Sequence, residues 1–304
     1  MAQACSSPLK SFAFAMAASS ACIASQASAA PRSLPGSHCG PGEGERVTLS
    51  KERKAAMLSA LELHLDEVIS SSAPRPGRKL PWSFEQDGRA AHIFGPDGRE
   101  SEEMPLLIVL HGNGKTEATI EFLKGEFGGV AVRNRCFILI PVALGATWDF
   151  YSAEEPKDAQ FISNAMSEVL RTHLIDGCRI GVMGFSDGAS LGLSLAVGHP
   201  WIFQAAMVWA AGFCLRKLGP APGSAPVPRL LIGHGRQDVL FNVDKVTMPM
   251  KDSLEKDGYA VDFWLDEEAA HGPTPHFIWH AIRFWLDLRP RAPVLTPTES
   301  PSIV

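Results

Sequence analysis

Short, predominantly apolar segments alternate with helical stretches from residue 105 onward, and this alternation limits the possible folds more than any other feature. The apolar segments lack a polar residue at every second position, so each strand is expected to be buried on both faces. They are Leu106–Leu110, Phe137–Val142, Ile180–Phe185, Phe203–Ala210, Leu230–Ile232 and Ala260–Leu265. The predicted intervening helices are Thr116–Gly125, Asp158–His173, Asp187–Val197 and Asp244–Lys256. The pattern predicts an α/β fold with a mostly parallel sheet covered by helices on both faces.

Two further elements flank this pattern. Residues Trp82–Phe94 predict a hairpin with Asp87-Gly88 as its turn. Residues Thr274–Leu288 predict a final helix, because a Thr-Pro start precedes apolar residues at helical spacing. We therefore expect one domain over residues 81–288.

The segments outside this domain carry different signals. Residues 1–29 combine Lys10, a short apolar stretch and a small-residue Ala27-Ser28-Ala29 exit, which is typical of a secretory signal peptide. We expect export to the periplasm or the medium, with an organellar transit peptide as the alternative. Residues 30–80 predict a linker and an amphipathic helix near Ser50–Ile69, and residues 289–304 a disordered, proline-rich tail.

Charge and composition exclude several functions. The net charge is −5 at pH 7 and no segment concentrates Lys and Arg, so a nucleic-acid partner is not expected. No run of about 18 apolar residues exists, so no transmembrane segment is predicted. None of the six cysteines forms a CxxC motif. His276 and His280 lie one helical turn apart but lack an evident third ligand, so no metal is expected.

The strongest chemical signal is Gly184-Phe185-Ser186-Asp187-Gly188, a complete G-x-S-x-G motif. It directly follows a predicted strand and directly precedes a predicted helix, the context in which a sharp turn exposes a nucleophilic serine. A side chain at either glycine would strike the strand or the helix. The motif predicts Ser186 as a nucleophile.

A serine nucleophile needs a base to take its proton and a third group to orient that base. Asp238 follows the strand Leu230–Ile232, and His271 lies between the last strand and the last helix. Both are at the carboxyl ends of strands, and the order Ser, Asp, His is that of the strand-sheet hydrolases. Asp266 is the alternative orienting acid. We expect His234 to brace its loop.

An oxyanion hole requires backbone donors close to the nucleophile. We predict the N–H of Asp187 as one donor and the N–H of Asn113, in the loop after the strand Leu106–Leu110, as the other. His111 is expected to be structural.

These segments together resemble the α/β-hydrolase superfamily. The resemblance rests on Leu107–Asn113, Thr147-Trp148-Asp149, Arg179–Ser190, His234–Asp238 and His271. Within the superfamily the chain looks like the phospholipase/carboxylesterase and polyhydroxyalkanoate-depolymerase-like esterases, in which the GFSDGAS string is familiar. The resemblance covers roughly residues 105–288 and implies a Ser-His-Asp esterase mechanism without a cofactor. The chain departs from the usual pattern at Gly272, where a bulkier residue is more often expected.

The substrate is expected to be a small-molecule or oligomeric ester. Residues 212–229 are too short and unpatterned for a large lid. Trp148 and Tyr151 follow a strand and are predicted to line a substrate pocket, with a core role as the alternative for Trp148. A thioesterase or an acyltransferase would use the same triad.

A P-loop nucleotide-binding protein is the alternative outside the hydrolases. Gly114-Lys115-Thr116 follows a strand and opens a helix, as a P-loop does. The glycine that the motif requires five residues earlier is replaced by Val109, so the phosphate cradle lacks its first half.

Overall fold

The computed structural model describes residues 78–97, 102–151, 156–215 and 227–287. The predicted signal peptide, the predicted helix near Ser50–Ile69 and the predicted tail lie outside these residues. The connection between residues 212 and 229 is described only at its two ends, so the absence of a lid stays a prediction.

Eight strands of the described residues form one sheet in the order β1-β2-β4-β3-β5-β6-β7-β8. They are β1 (Trp82–Gln86), β2 (Arg89–Phe94), β3 (Met104–Leu110), β4 (Phe137–Val142), β5 (Ile175–Phe185), β6 (Ala205–Trp209), β7 (Arg229–Gly235) and β8 (Val261–Asp266). Strands β3 to β8 all pair in parallel with one another, while β2 pairs antiparallel with both β1 and β4. The mostly parallel sheet predicted from the apolar segments is confirmed.

The helices cover both faces of this sheet. They are α1 (Glu117–Asn134), α2 (Asp158–Thr172), α3 (Asp187–Gly198), α4 (Thr247–Lys256) and α5 (Pro275–Leu286), with a short 3₁₀ helix at Asp149–Tyr151. Alternate residues of β3 point to opposite faces, so Leu106 and Ile108 pack with α2 and α3, whereas Leu107 and Val109 pack with α1 and α5. The result is two apolar cores with the sheet between them.

Several predicted boundaries differ from the observed ones. The hairpin turn is as predicted, with left-handed φ values of 50° at Asp87 and 74° at Gly88. Helix α1 continues nine residues beyond the predicted end at Gly125, and β5 begins at Ile175 instead of Ile180. Among the described residues, no helix is both long enough and apolar enough to cross a bilayer.

Candidate active site

Ser186 lies on a strained turn between β5 and α3. Its φ of 54° and ψ of −116° place it in a region that side-chain-bearing residues rarely adopt. A Cβ at Gly184 would lie 2.2 Å from the carbonyl oxygen of Gly188, and a Cβ at Gly188 would lie 2.3 Å from that of His111. Both glycines are therefore required for the close approach of α3 to the strands, as the motif predicted.

The structure brings Ser186, His271 and Asp238 together in one hydrogen-bonded chain. His271 Nε2 lies 2.9 Å from Ser186 Oγ, and its Nδ1 lies 2.7 Å from Asp238 Oδ2. The three residues are 7%, 6% and 5% exposed, respectively. They come from positions far apart in the sequence, because the carboxyl ends of β5, β7 and β8 meet at one edge of the sheet.

Two loops that carry Asp238 and His271 are held against each other. The backbone N–H of Gln237 donates to Ala269 O, and that of Arg236 donates to Asp266 O. A Cβ at Gly235 would lie 2.2 Å from the carbonyl oxygens of Ala269 and Ala270, so the loops pack in direct backbone contact. This contact fixes the separation between the acid and the imidazole.

The Asp238 carboxylate accepts hydrogen bonds at both oxygens. Its Oδ1 accepts from the backbone N–H groups of Leu240 and Phe241 at 2.8 and 2.9 Å. Burial alone would raise the pKa of Asp238, but hydrogen bonds from His234, His271 and the Phe241 amide outweigh burial and hold the pKa well below its ordinary value. Asp238 therefore stays ionised beside His271 at neutral pH.

Asp266 and His280, which the sequence offered as an alternative orienting acid and as part of a histidine pair, each have other contacts in the structure. Asp266 Oδ1 accepts from the backbone N–H groups of Glu268 and Ala269, so its carboxylate closes a turn and does not contact His271. The His280 ring packs against Trp264 in a tilted arrangement, at 4.8 Å between ring centroids. No group of three His, Cys, Asp or Glu residues able to hold a metal ion occurs in the described part of the chain.

His111 is buried under the loop predicted to hold an oxyanion. Its Nδ1 donates to Gly112 O at 2.7 Å, and its Nε2 accepts from the Ala143 N–H at 3.1 Å. Desolvation by burial lowers its pKa to about 4, so the ring is neutral. These contacts link the loop after β3 to the end of β4 through the His111 ring.

The two predicted oxyanion donors lie on adjacent segments. Asp187 is the first residue of α3, and Asn113 is exposed in the loop after β3. A third segment joins them: Thr147 Oγ1 donates to Asp187 Oδ2 at 2.6 Å, and Ala146 O accepts from the Gly114 amide at 3.1 Å. Sequence reasoning missed this link, since nothing in the sequence indicates that Thr147 reaches α3.

The same contacts argue against phosphate binding by the segment Gly114-Lys115-Thr116. The backbone N–H groups of Gly114 and Lys115 both donate to Ala146 O, at 3.1 and 3.4 Å. A P-loop needs such amides to face the phosphates. These two are already occupied.

Trp148 does not line a pocket, and the prediction that it does is wrong. The indole is fully buried in the core, donates from Nε1 to His111 O at 2.7 Å and stacks on the His111 ring at 4.5 Å between centroids. The alternative interpretation as a core residue is the correct one. Tyr151 ends the 3₁₀ helix, and its side chain lies outside what the structure describes.

Apolar residues follow Asp238 directly and were not predicted as site residues. The Phe241 ring packs against the His271 ring at 5.3 Å between centroids in an edge-on arrangement. Val239 and Leu240 are 90% and 45% exposed. Val239, Leu240 and the half-buried Phe241 therefore form an apolar rim, of which the Phe241 ring contacts His271.

The segment after β6 is fastened to α3 by two buried serines. Ser190 Oγ donates to Ser186 O and accepts from the Gly212 N–H, while Ser194 Oγ accepts from the Leu215 N–H at 2.9 Å. Gly212 in turn lies against the Phe241 ring. These bonds hold one side of the site to α3, the helix that follows Ser186.

The strand order, the serine turn between β5 and α3 and the three side chains at the strand ends together define an α/β-hydrolase fold. Solved structures of serine hydrolases share it. FphF, a fluorophosphonate-binding serine hydrolase of Staphylococcus aureus, superimposes with a TM-score of 0.55 at 16% identity, covering 70% of this chain and 100% of FphF.

Two S-formylglutathione hydrolases are also similar in fold. The Staphylococcus aureus enzyme FrmB has a TM-score of 0.54 at 15% identity and covers 71% of this chain and 100% of its own. The Agrobacterium tumefaciens enzyme has a TM-score of 0.53 at 13% identity, and the match covers 68% of this chain and 94% of that enzyme. No protein-family model and no curated protein matches the sequence.

Proposed function

We propose that this protein is a serine hydrolase that cleaves carboxylic esters through an acyl-enzyme intermediate. The observation that carries the proposal is the hydrogen-bonded chain from Ser186 Oγ through His271 to Asp238, with contacts of 2.9 and 2.7 Å. Such an arrangement activates a hydroxyl that is a poor nucleophile by itself.

In the first half-reaction, Ser186 Oγ attacks the ester carbonyl carbon while His271 Nε2 takes its proton. Asp238 stabilises the resulting imidazolium at Nδ1. The negative oxygen of the tetrahedral intermediate accepts hydrogen bonds from the amides of Asn113 and Asp187, each contributing about 3–4 kcal/mol to lowering the barrier. The intermediate collapses, the C–O bond to the alcohol breaks, and the alcohol leaves with the proton from Nε2.

The second half-reaction uses the same groups with water. His271 Nε2 takes a proton from water as its oxygen attacks the acyl carbon. The second tetrahedral intermediate breaks its bond to Ser186, which regains the proton from His271, and the carboxylic acid is released. No cofactor takes part in these steps.

The rim beside His271 supports an ester that carries an apolar group. Without a bound substrate, Val239 and Leu240 expose apolar surface to water, next in sequence to Asp238. Contact with an apolar group of the substrate removes this surface from water, at about 25 cal/mol per Å². We therefore expect turnover to favour esters with an apolar acyl or alcohol group over acetyl esters of polar alcohols.

The proposal is tested with purified protein, a Ser186→Ala control and p-nitrophenyl esters of increasing acyl length. We expect ester hydrolysis by the wild type, covalent labelling of Ser186 by a fluorophosphonate probe, and neither in the variant. Thioester substrates and added alcohol acceptors in the same series separate a thioesterase or an acyltransferase from an esterase. Failure of the probe to label the folded wild type would overturn the proposal.

Export stays a proposal that rests on residues 1–29 alone. A processed N-terminus close to Pro31, determined on protein recovered from the periplasm or medium, is the expected result. Recovery of the full-length chain from the cytosol would contradict it.

A further inference from the structure

We propose that His234 is a second histidine of the active site, a positioning residue that donates from Nε2 to the Asp238 oxygen that also pairs with His271. This inference rests on the proposed function, because it concerns how the acid orients the base. His234 does not touch the reacting atoms. It acts on them through Asp238.

The geometry around His234 leaves no freedom to its ring. Its side chain is fully buried, its Nε2 lies 3.1 Å from Asp238 Oδ2 and 2.8 Å from Phe241 O, and its Nδ1 lies 2.7 Å from Thr247 Oγ1. Thr247 is itself fully buried at the start of α4. The imidazole therefore connects α4 to the catalytic acid.

The partners of the ring decide where its proton resides. The Phe241 carbonyl only accepts hydrogen bonds, so Nε2 must carry the hydrogen and share it between Phe241 O and Asp238 Oδ2. With that hydrogen on Nε2, Nδ1 is left to accept from the Thr247 hydroxyl. His111 has the opposite tautomer, because its Nδ1 donates to Gly112 O and its Nε2 accepts from Ala143.

This arrangement has two consequences for Asp238. The carboxylate is held at all its accepting positions, with two backbone amides on Oδ1 and two imidazoles on Oδ2. It cannot rotate away from His271 without breaking the bond to His234. The shared oxygen also has less charge available to stabilise protonated His271, so removing the His234 donor should strengthen that pairing.

Other charged groups on the surrounding elements have partners of their own. Arg236 pairs with Asp244 and Glu267 at the surface, and the Asp187 carboxylate accepts from Thr147. The loops at the strand ends also carry His111 and Lys115 after β3, Lys245 before α4, and Asp266 and Glu268 at the end of β8. The charged residues within α4, β7 and β8 pair with each other or lie exposed at the surface: Lys251, Asp252, Glu255, Lys256, Arg229 and Asp262. None of these provides a third donor to Asp238 Oδ2 among the described contacts.

The test compares His234→Gln with His234→Leu. Glutamine places an amide N–H where Nε2 lies, whereas leucine fills a similar volume without a donor. A hydrogen bond to a charged group corresponds to about 10- to 100-fold in rate, so we expect this loss of kcat in His234→Leu and a smaller loss in His234→Gln. We also expect the acid limb of the kcat/KM profile to move to higher pH in His234→Leu and less in His234→Gln.

Rates are expressed per folded molecule, measured by circular dichroism, so that reduced stability does not imitate reduced catalysis. Equal loss of kcat in both variants with an unshifted pH profile would overturn the inference and leave His234 a packing residue. Failure of the proposed function can be told apart from failure of this inference, because the wild type would then already lack turnover that depends on Ser186.

A second measurement needs no stable variant. In the wild type labelled with ¹⁵N-histidine, a long-range ¹H–¹⁵N spectrum at pH 8 should show two buried neutral histidines of opposite tautomer, His234 with Nε2–H and His111 with Nδ1–H. The His234→Gln or His111→Asn spectrum assigns the two signals, and selective labelling with coupling to the adjacent ¹³C-labelled glycines assigns them if neither variant folds. An Nδ1–H tautomer for His234 would refute the inference.

Discussion

Replacing Gly188 with alanine tests how the start of α3 positions Ser186, the proposed nucleophile. The added Cβ would lie 2.3 Å from His111 O and 2.6 Å from Leu110 O, and real Cβ contacts under 3.0 Å are essentially never seen. Because these oxygens belong to the backbone of a central strand and its loop, they cannot swing aside as a side chain does. The first turn of α3 must therefore move by roughly 0.7–1 Å.

Ser186 moves with this turn, since it is the N-cap residue of α3. A displacement of about 1 Å takes Oγ out of its 2.9 Å contact with His271 and corresponds to about 100-fold in rate. Overpacking also lowers the free energy of unfolding by about 1–3 kcal/mol. We expect both losses in Gly188→Ala, measured as kcat/KM on a p-nitrophenyl ester and by urea denaturation.

Gly125→Ala provides the matched control. Gly125 is exposed within α1, and an added Cβ would have no atom within 4 Å. Alanine there should raise the free energy of unfolding by about 0.5–1 kcal/mol and leave kcat/KM unchanged. A Gly188→Ala protein with wild-type kcat/KM per folded molecule would refute this account of the turn.

Three further outcomes are expected. Asp238→Asn keeps the shape of the acid but loses the charge that fixes the His271 tautomer, so kcat on the same ester should fall on the order of 10⁴-fold; a loss below about tenfold would contradict the orienting role. Trp148→Ala should lower the free energy of unfolding by about 3–5 kcal/mol and reduce activity equally on acetyl, long-chain and aryl esters. A selective rise of KM for aryl esters would contradict the core role and indicate that Trp148 contacts the substrate. The free energy of unfolding should decline as pH falls from 6.5 towards 4, because burial lowers the His111 pKa to about 4 and only the unfolded chain takes up this proton in that window; an equal slope in His111→Asn would exclude His111 as the source.

The parallel sheet and the meeting of Ser186, Asp238 and His271 could be predicted because both follow from one rule. Parallel strands place their carboxyl ends on one edge, so residues that follow β5, β7 and β8 converge whatever their separation in sequence. The distances of 2.7 and 2.9 Å could not be predicted, because they depend on backbone contacts such as that of Gly235 with the loop before His271.

The predicted end of α1 at Gly125 was nine residues too early, and it falls at the first of the three glycines in this helix. Gly128 lies within α1, and a Cβ there would be 3.1 Å from the Phe94 ring of β2. The missing side chain lets the helix pack closely on the sheet. A single sequence does not distinguish a glycine that ends a helix from one that allows this contact.

The role of Trp148 depended on a partner that the sequence does not reveal. An aromatic residue that follows a strand can either line a pocket or pack in the core. Which of the two it does depends on the backbone acceptor that its polar atom reaches. The indole N–H of Trp148 reaches the carbonyl oxygen of His111, which lies inside the fold. The contact between His234 and Asp238 was not predicted, because the sequence shows that they are four residues apart but not that their side chains meet.

The two serine hydroxyls of α3 have a consequence for how this scaffold could change its substrates. Because Gly212 and Leu215 are hydrogen-bonded to the helix that follows Ser186, the backbone position at which the chain continues beyond Leu215 is fixed relative to the candidate site. Insertions of different length grafted beyond Leu215 would start from the same place and would disturb Ser186, His271 and Asp238 little. Selection, natural or in the laboratory, can therefore vary that connection while the chemistry stays intact.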